Sequence, residues 1–372
     1  MEFVGGLPVR SAATVKAGEP RTMNRKITTI AAATILLLAT GIGATNRFRT
    51  LAAKANAAAA DCDSVCLNGF VDQYLDAVVA HDPSGLPLKN TVKFTEDGQR
   101  LDLGDGFWRT ATARGTYKYY MDDPAVGQVV FFGTMREAGN PVSLVLRLKV
   151  EDKQIAEIET IVIRTGMNPS RPADTGAEAF EKLGGPDLLF LQEIPPAERV
   201  SRDELGRTAN KYFSGMQLND GKGDYSFFAD DCSRVENGQL ATQGRNTVAE
   251  GSAPATSYTV KQGCRAQFET GLIHFVTRIR DRRFVVLDTV HGVALAFTFF
   301  DHAAGSTRTF QTPDGKTVTA GPTTPWTWEI AEAFKVQNGK IHRILAIFQR
   351  CPYGMNSGWS SWQDAMSDKA RW

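Results

Sequence analysis

The sequence predicts an α+β protein made of two tandem copies of one domain, each a curved, mostly antiparallel sheet wrapped around a pocket. Three observations predict it. Four segments of the first half recur in the same order in the second. Each copy opens on an amphipathic helical pattern, and each closes on a β-hairpin. At 372 residues the chain exceeds the usual size of a single-core domain, and 42% hydrophobic with 22% charged residues is ordinary globular material.

The N-terminus reads as a targeting segment. Met23-Asn24-Arg25-Lys26 gives a positive start, residues 27–44 (ITTIAAATILLLATGIGA) are an unbroken apolar and small-residue run, and AAKANAAAA ends at Ala60 with small residues suited to a signal peptidase. The alternative is a retained anchor, because the run is about as long as the ~18 residues that span a bilayer. Residues 1–60 are therefore set apart from the fold. An exported chain is expected, periplasmic or secreted, and membrane-bound only if that segment is kept.

The closing hairpin carries the clearest repeat. RLKVEDKQIAEIETIVIR (147–164) aligns without gaps on AFKVQNGKIHRILAIFQR (333–350). Each copy is a strand, a polar turn, and a second strand with apolar alternation, Ile155, Ile158, Ile161 and Ile163 against Ile341, Ile344 and Ile347. Upstream, GTYKYYMDDPAVGQVVFFGTM (115–135) matches RRFVVLDTVHGVALAFTFFDH (282–302). In both, a β-rich run reaches an Asp (Asp122, Asp288), turns through a loop ending in Gly (Gly127, Gly292) and returns as a long apolar strand. FVDQYLDAVVAHDPSGLPL (70–88) matches TANKYFSGMQLNDGKGDYSFF (208–228), a helix followed by an acidic, Gly-containing loop, with Tyr74 corresponding to Tyr212. FTEDGQ (94–99) and RVENGQ (234–239) complete the set. The copies fall at 61–165 and 200–352, joined by a Pro/Gly-rich linker (166–199) with a short helix near 177–183. The tail 353–372, with Trp359, Trp362 and Trp372, reads as a strap packed on the body.

Charge and motifs narrow the function. With 42 basic against 41 acidic residues the net charge is +1, which excludes the basic footprint of a nucleic-acid partner. No G-x-S-x-G, P-loop, G-x-G-x-x-G or H-E-x-x-H string occurs, and the cysteines and histidines do not have the tight four-ligand spacing of a zinc site. Neither metal nor cofactor is expected. Five cysteines stand at 62, 66, 232, 264 and 351. Cys232 and Cys264, flanking one loop-rich insertion, are the first choice for a disulfide, and Cys62–Cys66 is a possible second.

Helix, acidic loop and long strands ending in a hairpin, together with the phrases FFADDC (227–232), RDRRFVVLD (280–288) and FFDH (299–302), resemble the nuclear-transport-factor-2-like (SnoaL-like) superfamily, in particular its uncharacterised two-domain members. The resemblance implies cone-shaped domains with helices on the concave side of the sheet, pairing of the two copies through their sheets as an intra-chain pseudo-dimer, and cofactor-independent isomerase, dehydratase or hydrolase chemistry.

The second copy holds most of the titratable residues. His274, in an apolar run, is either a core residue bonded to backbone or a pocket base. Asp301 and His302 end a strand and point to opposite faces, so only one of them faces the cone. Arg278 and Arg280 would share the face of His274 by strand alternation, as a wall for a carboxylate or oxyanion or as an ion-paired surface. Asp288 reads as a turn former, like Asp122. Tyr225 is a hydrogen-bond donor at a position the resemblance implies, and Phe297 and Trp326 are aromatic substrate contacts. The expected function is an exported acid–base lyase, isomerase or hydrolase acting on a hydrophobic small molecule in the second cone, with His274, Asp301, His302 and Arg280 carrying the chemistry. The alternative is a ligand-binding or assembly module without turnover.

Overall fold

The computed structural model describes residues 62–167, 173–242, 263–305, 307–311 and 317–372, so the targeting segment lies outside the described residues. Helix α1 (Ser64–Ala80) is started by Asp63, whose carboxylate accepts from the Cys66 amide, and ends at His81 in the left-handed region. Its buried side chains, Leu67, Phe70, Val71, Tyr74, Leu75 and Val78, recur at helical spacing and form one face. That face packs on a six-stranded sheet of β1 (Leu88–Glu96), β2 (Gln99–Arg100), β3 (Ala111–Asp123), β4 (Gln128–Glu137), β5 (Asn140–Glu151) and β6 (Gln154–Ile163), in the order β2-β1-β6-β5-β4-β3. Only the β1–β6 contact is parallel.

After α2 (Ala177–Leu183) the same order returns. Helix α3 (Arg202–Met216) is capped by Ser201, which accepts from the Glu204 amide in a Ser-x-x-Glu start. The second sheet contains β7 (Phe228–Glu236), β8 (Gln239–Leu240), β9 (Arg278–Asp288), β10 (Val293–His302), β13 (Trp326–Gln337) and β14 (Lys340–Cys351). Its order, β8-β7-β14-β13-β10-β9, repeats that of the first sheet position for position, and β7–β14 is again the parallel pair. Helix α4 (Cys264–Glu269) and a separate hairpin, β11 (Arg308–Gln311) with β12 (Thr317–Ala320), are inserted in the second copy. The architecture is α+β with two six-stranded mixed sheets.

The second sheet is buried on both faces. Ile330 and Phe334 of β13 join Tyr212 and Phe213 of α3 in one core. Ala331 and Ala333, pointing the other way, join Tyr117, Phe132, Val145 and Ile161 of the first sheet in another. Every residue of β10 is buried, which is why that strand reads as a continuous apolar run rather than an alternation. Polar links cross between the copies: Arg202 of α3 donates to Asp123 at 2.7 Å, and Arg283 of β9 to Glu159 of β6 at 2.5 Å.

Disulfides join Cys62 to Cys66 and Cys232 to Cys264, the second tying β7 to α4, while Cys351 is free and buried. Disulfide bonding of this kind is compatible with an oxidising location. Among the described residues no helix is long and apolar enough to cross a membrane.

The two loop glycines that end the Asp122 and Asp288 turns are structural equivalents. Gly127 and Gly292 have φ of 64° and 62°, and a Cβ on either would meet a carbonyl oxygen, of Val150 or Val336. Each glycine carbonyl also accepts from that same valine's amide, at 2.8 and 2.7 Å. Gly292→Ala is therefore expected to cost about 1–3 kcal/mol of stability, read as a lower urea midpoint at unchanged slope. An unchanged midpoint would mean that the turn yields without cost.

Candidate functional site

The site follows from which side chains point toward α3. In the β10–β13 register, Ala294 lies opposite Phe334, Ala296 opposite Glu332, Thr298 opposite Ile330, Phe300 opposite Trp328 and His302 opposite Trp326. Ala294, Ala296, Phe300, Ile330 and Phe334 belong to the core that includes α3, so strand alternation puts this whole set on the helix-facing side. Across β14 and β7, Ala346 flanks Glu332, and Arg234 and Glu236 stand on the same side.

The first copy has the same register with different residues. Phe131 pairs with Leu146 where the second copy has Ala296 and Glu332, Gly133 with Leu144 where it has Thr298 and Ile330, and Met135 with Val142 where it has Phe300 and Trp328. Phe94, opposite Ile158, corresponds to Arg234, opposite Ile344. In the first copy these positions are packed as an apolar core around Tyr74, whose hydroxyl accepts from Trp108 Nε1 at 2.9 Å. In the second copy Phe131 has given way to Ala296 beside a buried Tyr–Arg–Glu group, while Gly133, Met135 and Val142 have become the larger Thr298, Phe300 and Trp328.

That group is electrostatically unusual. Burial, and then the negative charge of Glu236, push the Glu332 carboxyl up to about 8, while Arg234 and a hydrogen bond with Tyr212 act in the opposite sense. Burial holds the Tyr212 hydroxyl protonated well above its ordinary range. Arg234 pairs with Glu236 at 2.8 Å and reaches the Tyr212 hydroxyl at 3.4 Å. Glu332 Oε2, Thr298 Oγ1, Trp328 Nε1 and both ring nitrogens of His302 are buried with no hydrogen-bond partner among the described residues. Leaving one buried polar atom unsatisfied costs about 1–3 kcal/mol, so each of these atoms calls for a polar partner such as water. A carboxyl poised near neutrality, a phenol that stays protonated and an arginine can together exchange a proton and stabilise developing negative charge.

The outer end of this face is aromatic. The His302 ring stacks on Trp326, with centroids 3.6 Å apart and planes 11° apart, and Phe275 lies 5.8 Å away at 22°. Trp328 meets His302 edge-on at 4.4 Å. Burial lowers the His302 pKa to about 3; the Phe300 and Trp326 carbonyls oppose that shift without reaching hydrogen-bond geometry. His302 is thus a neutral ring offering one donor and one acceptor.

The other sequence-predicted residues lie elsewhere. His274 is not on a strand: it sits in a 3-10 turn (Leu272–Phe275), 7% exposed, with Nδ1 3.2 Å from the Gly271 carbonyl oxygen. Strand alternation therefore does not link it to Arg278 and Arg280. Those two do share a face, opposite Asp301 and Phe299, but it is the one turned away from α3. A backbone kink at Asp281, φ 51°, then brings Arg283 to that same face, opposite Phe297. Arg280 and Asp301 form a buried two-point ion pair at 2.8 and 3.1 Å. Arg280 also donates to the Met355 and Ala365 carbonyls, and Asp301 accepts from Thr327, so the pair anchors the C-terminal tail. Phe297 belongs to the core shared by the two sheets. Tyr225 is 4% exposed, and its hydroxyl accepts from Asn219 at 2.8 Å within a cluster of phenylalanines. Of the predicted set, only His302 and Trp326 stand with Glu332 on the helix-facing side. Glu332, Tyr212 and Arg234 are the residues that reading the sequence missed. Their signal was in the repeat, where Leu146 and Phe94 become Glu332 and Arg234.

Residues 198–348 match the model of a family described as Domain of unknown function (DUF8021), a span that takes in α3 and nearly all of the second sheet. No curated protein matches the chain.

Proposed function

We propose that this chain is an exported, cofactor-independent acid–base enzyme that acts on a hydrophobic small molecule held between α3 and the second sheet. In this reading each copy is a nuclear-transport-factor-2-like cone with its helix on the concave side. The copies pair through their sheets, and the first has become an apolar buttress. The observation that carries the reading is the row of partnerless buried polar atoms on the helix-facing side of the second copy, where the first copy is filled with apolar side chains. The two disulfides support an oxidising, extracytoplasmic home.

The mechanism assigned to the site is proton transfer by Glu332. Protonated below about pH 8, its carboxyl acts as general acid, and its ionised form as general base. Tyr212 donates to the oxygen on which negative charge develops, and Arg234 stabilises that charge from behind. The substrate's carbon would lie against Ala294, Ala296 and Ala346, with Trp326 and Trp328 toward the outer end of the same face.

The test is a panel of apolar enolisable ketones, β-hydroxy ketones and epoxides incubated with the chain in heavy water and read by mass spectrometry. One class should gain deuterium, lose water or add it, and Glu332→Gln should slow that reaction about 100-fold or more while still binding the compound. Full-rate turnover by Glu332→Gln would remove the mechanism. Binding without any turnover would make the chain a non-catalytic ligand-binding module.

A further inference from the structure

The repeat exposes a second feature at the outer end of the same face. In the first copy Arg164 is held by three carboxylates, Glu137 at 2.8 Å, Asp97 at 3.0 Å and Glu96 at 2.8 Å. The gapless alignment of the closing hairpins makes Arg350 its counterpart. Two of the three partners are replaced and the third is engaged elsewhere. Glu137, opposite Asn140, becomes His302, opposite Trp326. Asp97 becomes Asn237, whose side chain is spent on the Phe348 backbone, donating at 3.0 Å and accepting at 3.0 Å. Glu96 becomes Glu236, which Arg234 engages instead at 2.8 Å. The arginine is kept, while two of its counter-charges are replaced and the third is turned to Arg234.

Among the described residues the Arg350 guanidinium has no ion pair; it lies over the Trp326 ring, 5.1 Å from the centroid. Trp326 is also the ring on which His302 stacks, and His302 is fully buried with neither nitrogen partnered. Trp328, opposite Arg350 in the β13–β14 register, adds a partnerless indole N–H. We propose that Arg350, with the Trp328 and His302 ring N–H groups, forms an anion site that takes the carboxylate of an apolar organic acid. A carboxylate replaces for Arg350 what Glu137 and its neighbours supply to Arg164, and the guanidinium fork matches its planar pair of oxygens. The apolar body then lies along Trp326, Phe300 and the alanines toward Glu332. A solvated surface arginine would not call for two buried donors beside it.

This inference rests on reading the helix-facing side as the ligand site, and the experiment separates the two. Naphthoate and its neutral isostere naphthamide are titrated into the intact chain by calorimetry and followed by indole fluorescence. The acid should bind about tenfold or more tighter than the amide. Arg350→Gln, at an exposed position whose side chain makes no ion pair among the described residues, should bring the acid down to the amide's affinity and leave the amide unchanged; Arg350→Lys should keep part of the preference. Equal binding of acid and amide to the unaltered chain would overturn the anion site while leaving the ligand face standing, as would a preference that survives Arg350→Gln. Failure of both compounds to perturb the indole signal would overturn both.

Discussion

Replacing Glu159 by alanine is expected to destabilise the chain by about 3–5 kcal/mol, the usual cost of breaking a buried ion pair from one side. Glu159 lies on β6, 2% exposed, between the two sheets. It accepts from Arg147 of β5 at 2.6 Å, and from Arg283 of β9 at 2.5 and 3.1 Å. Burial alone would raise its pKa, but Arg283 and Arg147 outweigh that and hold the carboxyl below its ordinary value. The stability it lends is thus present above the unfolded value and lost as pH falls through the folded one. The two arginines would fare differently without it. Arg147 keeps Glu157 at 2.7 Å and Gln128 at 3.1 Å. Arg283, nearly buried, would keep only Asp281, at 3.7 Å. The expected loss is therefore mainly the cost of an uncompensated Arg283, and the double variant Glu159→Leu, Arg283→Met should recover part of it. Urea unfolding at neutral pH checks both. A loss under about 1 kcal/mol for Glu159→Ala would mean that water reaches Arg283.

How much of this was legible beforehand depended on what the repeat preserved. Hairpin spacing, the glycine-ended turns and the helical patterns are local, so the two copies announced a shared succession of elements before any contact was known. The kink at Asp281 was not legible, because a non-glycine residue at φ 51° leaves no mark in an alternation of Arg and Asp. It carries Arg283 to the face of Arg278 and Arg280, where strict alternation would have put it on the other. His274 misled for a related reason: Gly271, at φ 68°, starts a 3-10 turn that an apolar run of the same length conceals. In β10 the burial of both faces removed the alternation that would have told Asp301 from His302. Glu332 was overlooked because a lone glutamate in a strand usually marks a solvated face. Setting it against Leu146 of the other copy reverses that reading, since the equivalent position is core.

Raising the pH from about 5 to about 8 is expected to weaken the ligand-free chain by several kcal/mol, and the loss divides between two places. Glu332 titrates in the folded chain near 8, against an ordinary 4.5. The native state therefore binds the proton more tightly than the unfolded one, so its contribution is full below the unfolded value and declines as pH climbs to the folded one. A shift of that size corresponds to something on the order of 5 kcal/mol once the carboxyl is fully ionised. Glu332→Gln should flatten that part of the profile. Glu329 is the second source, also raised to about 8 by burial and then by Asp97, with Glu159 adding to the shift and Arg283 and Gln349 opposing it. It shares the Gln349 amide with Asp97, each accepting at 2.9 Å, and Asp97 itself is raised to about 6, chiefly by burial. This pair joins the first copy to the second, on the side of the sheet turned away from α3, so its slope should persist in Glu332→Gln and diminish in Glu329→Gln. A ligand that accepts a hydrogen bond from the protonated Glu332 carboxyl raises its folded pKa further. Saturating ligand should then carry the Glu332 decline on above about pH 8 and leave the Glu329 slope where it was, both read from melting temperature against pH. If ligand extended neither contribution, Glu332 would have no special relation to the ligand; if neither variant altered the profile, the two carboxyls would be hydrated in the native chain.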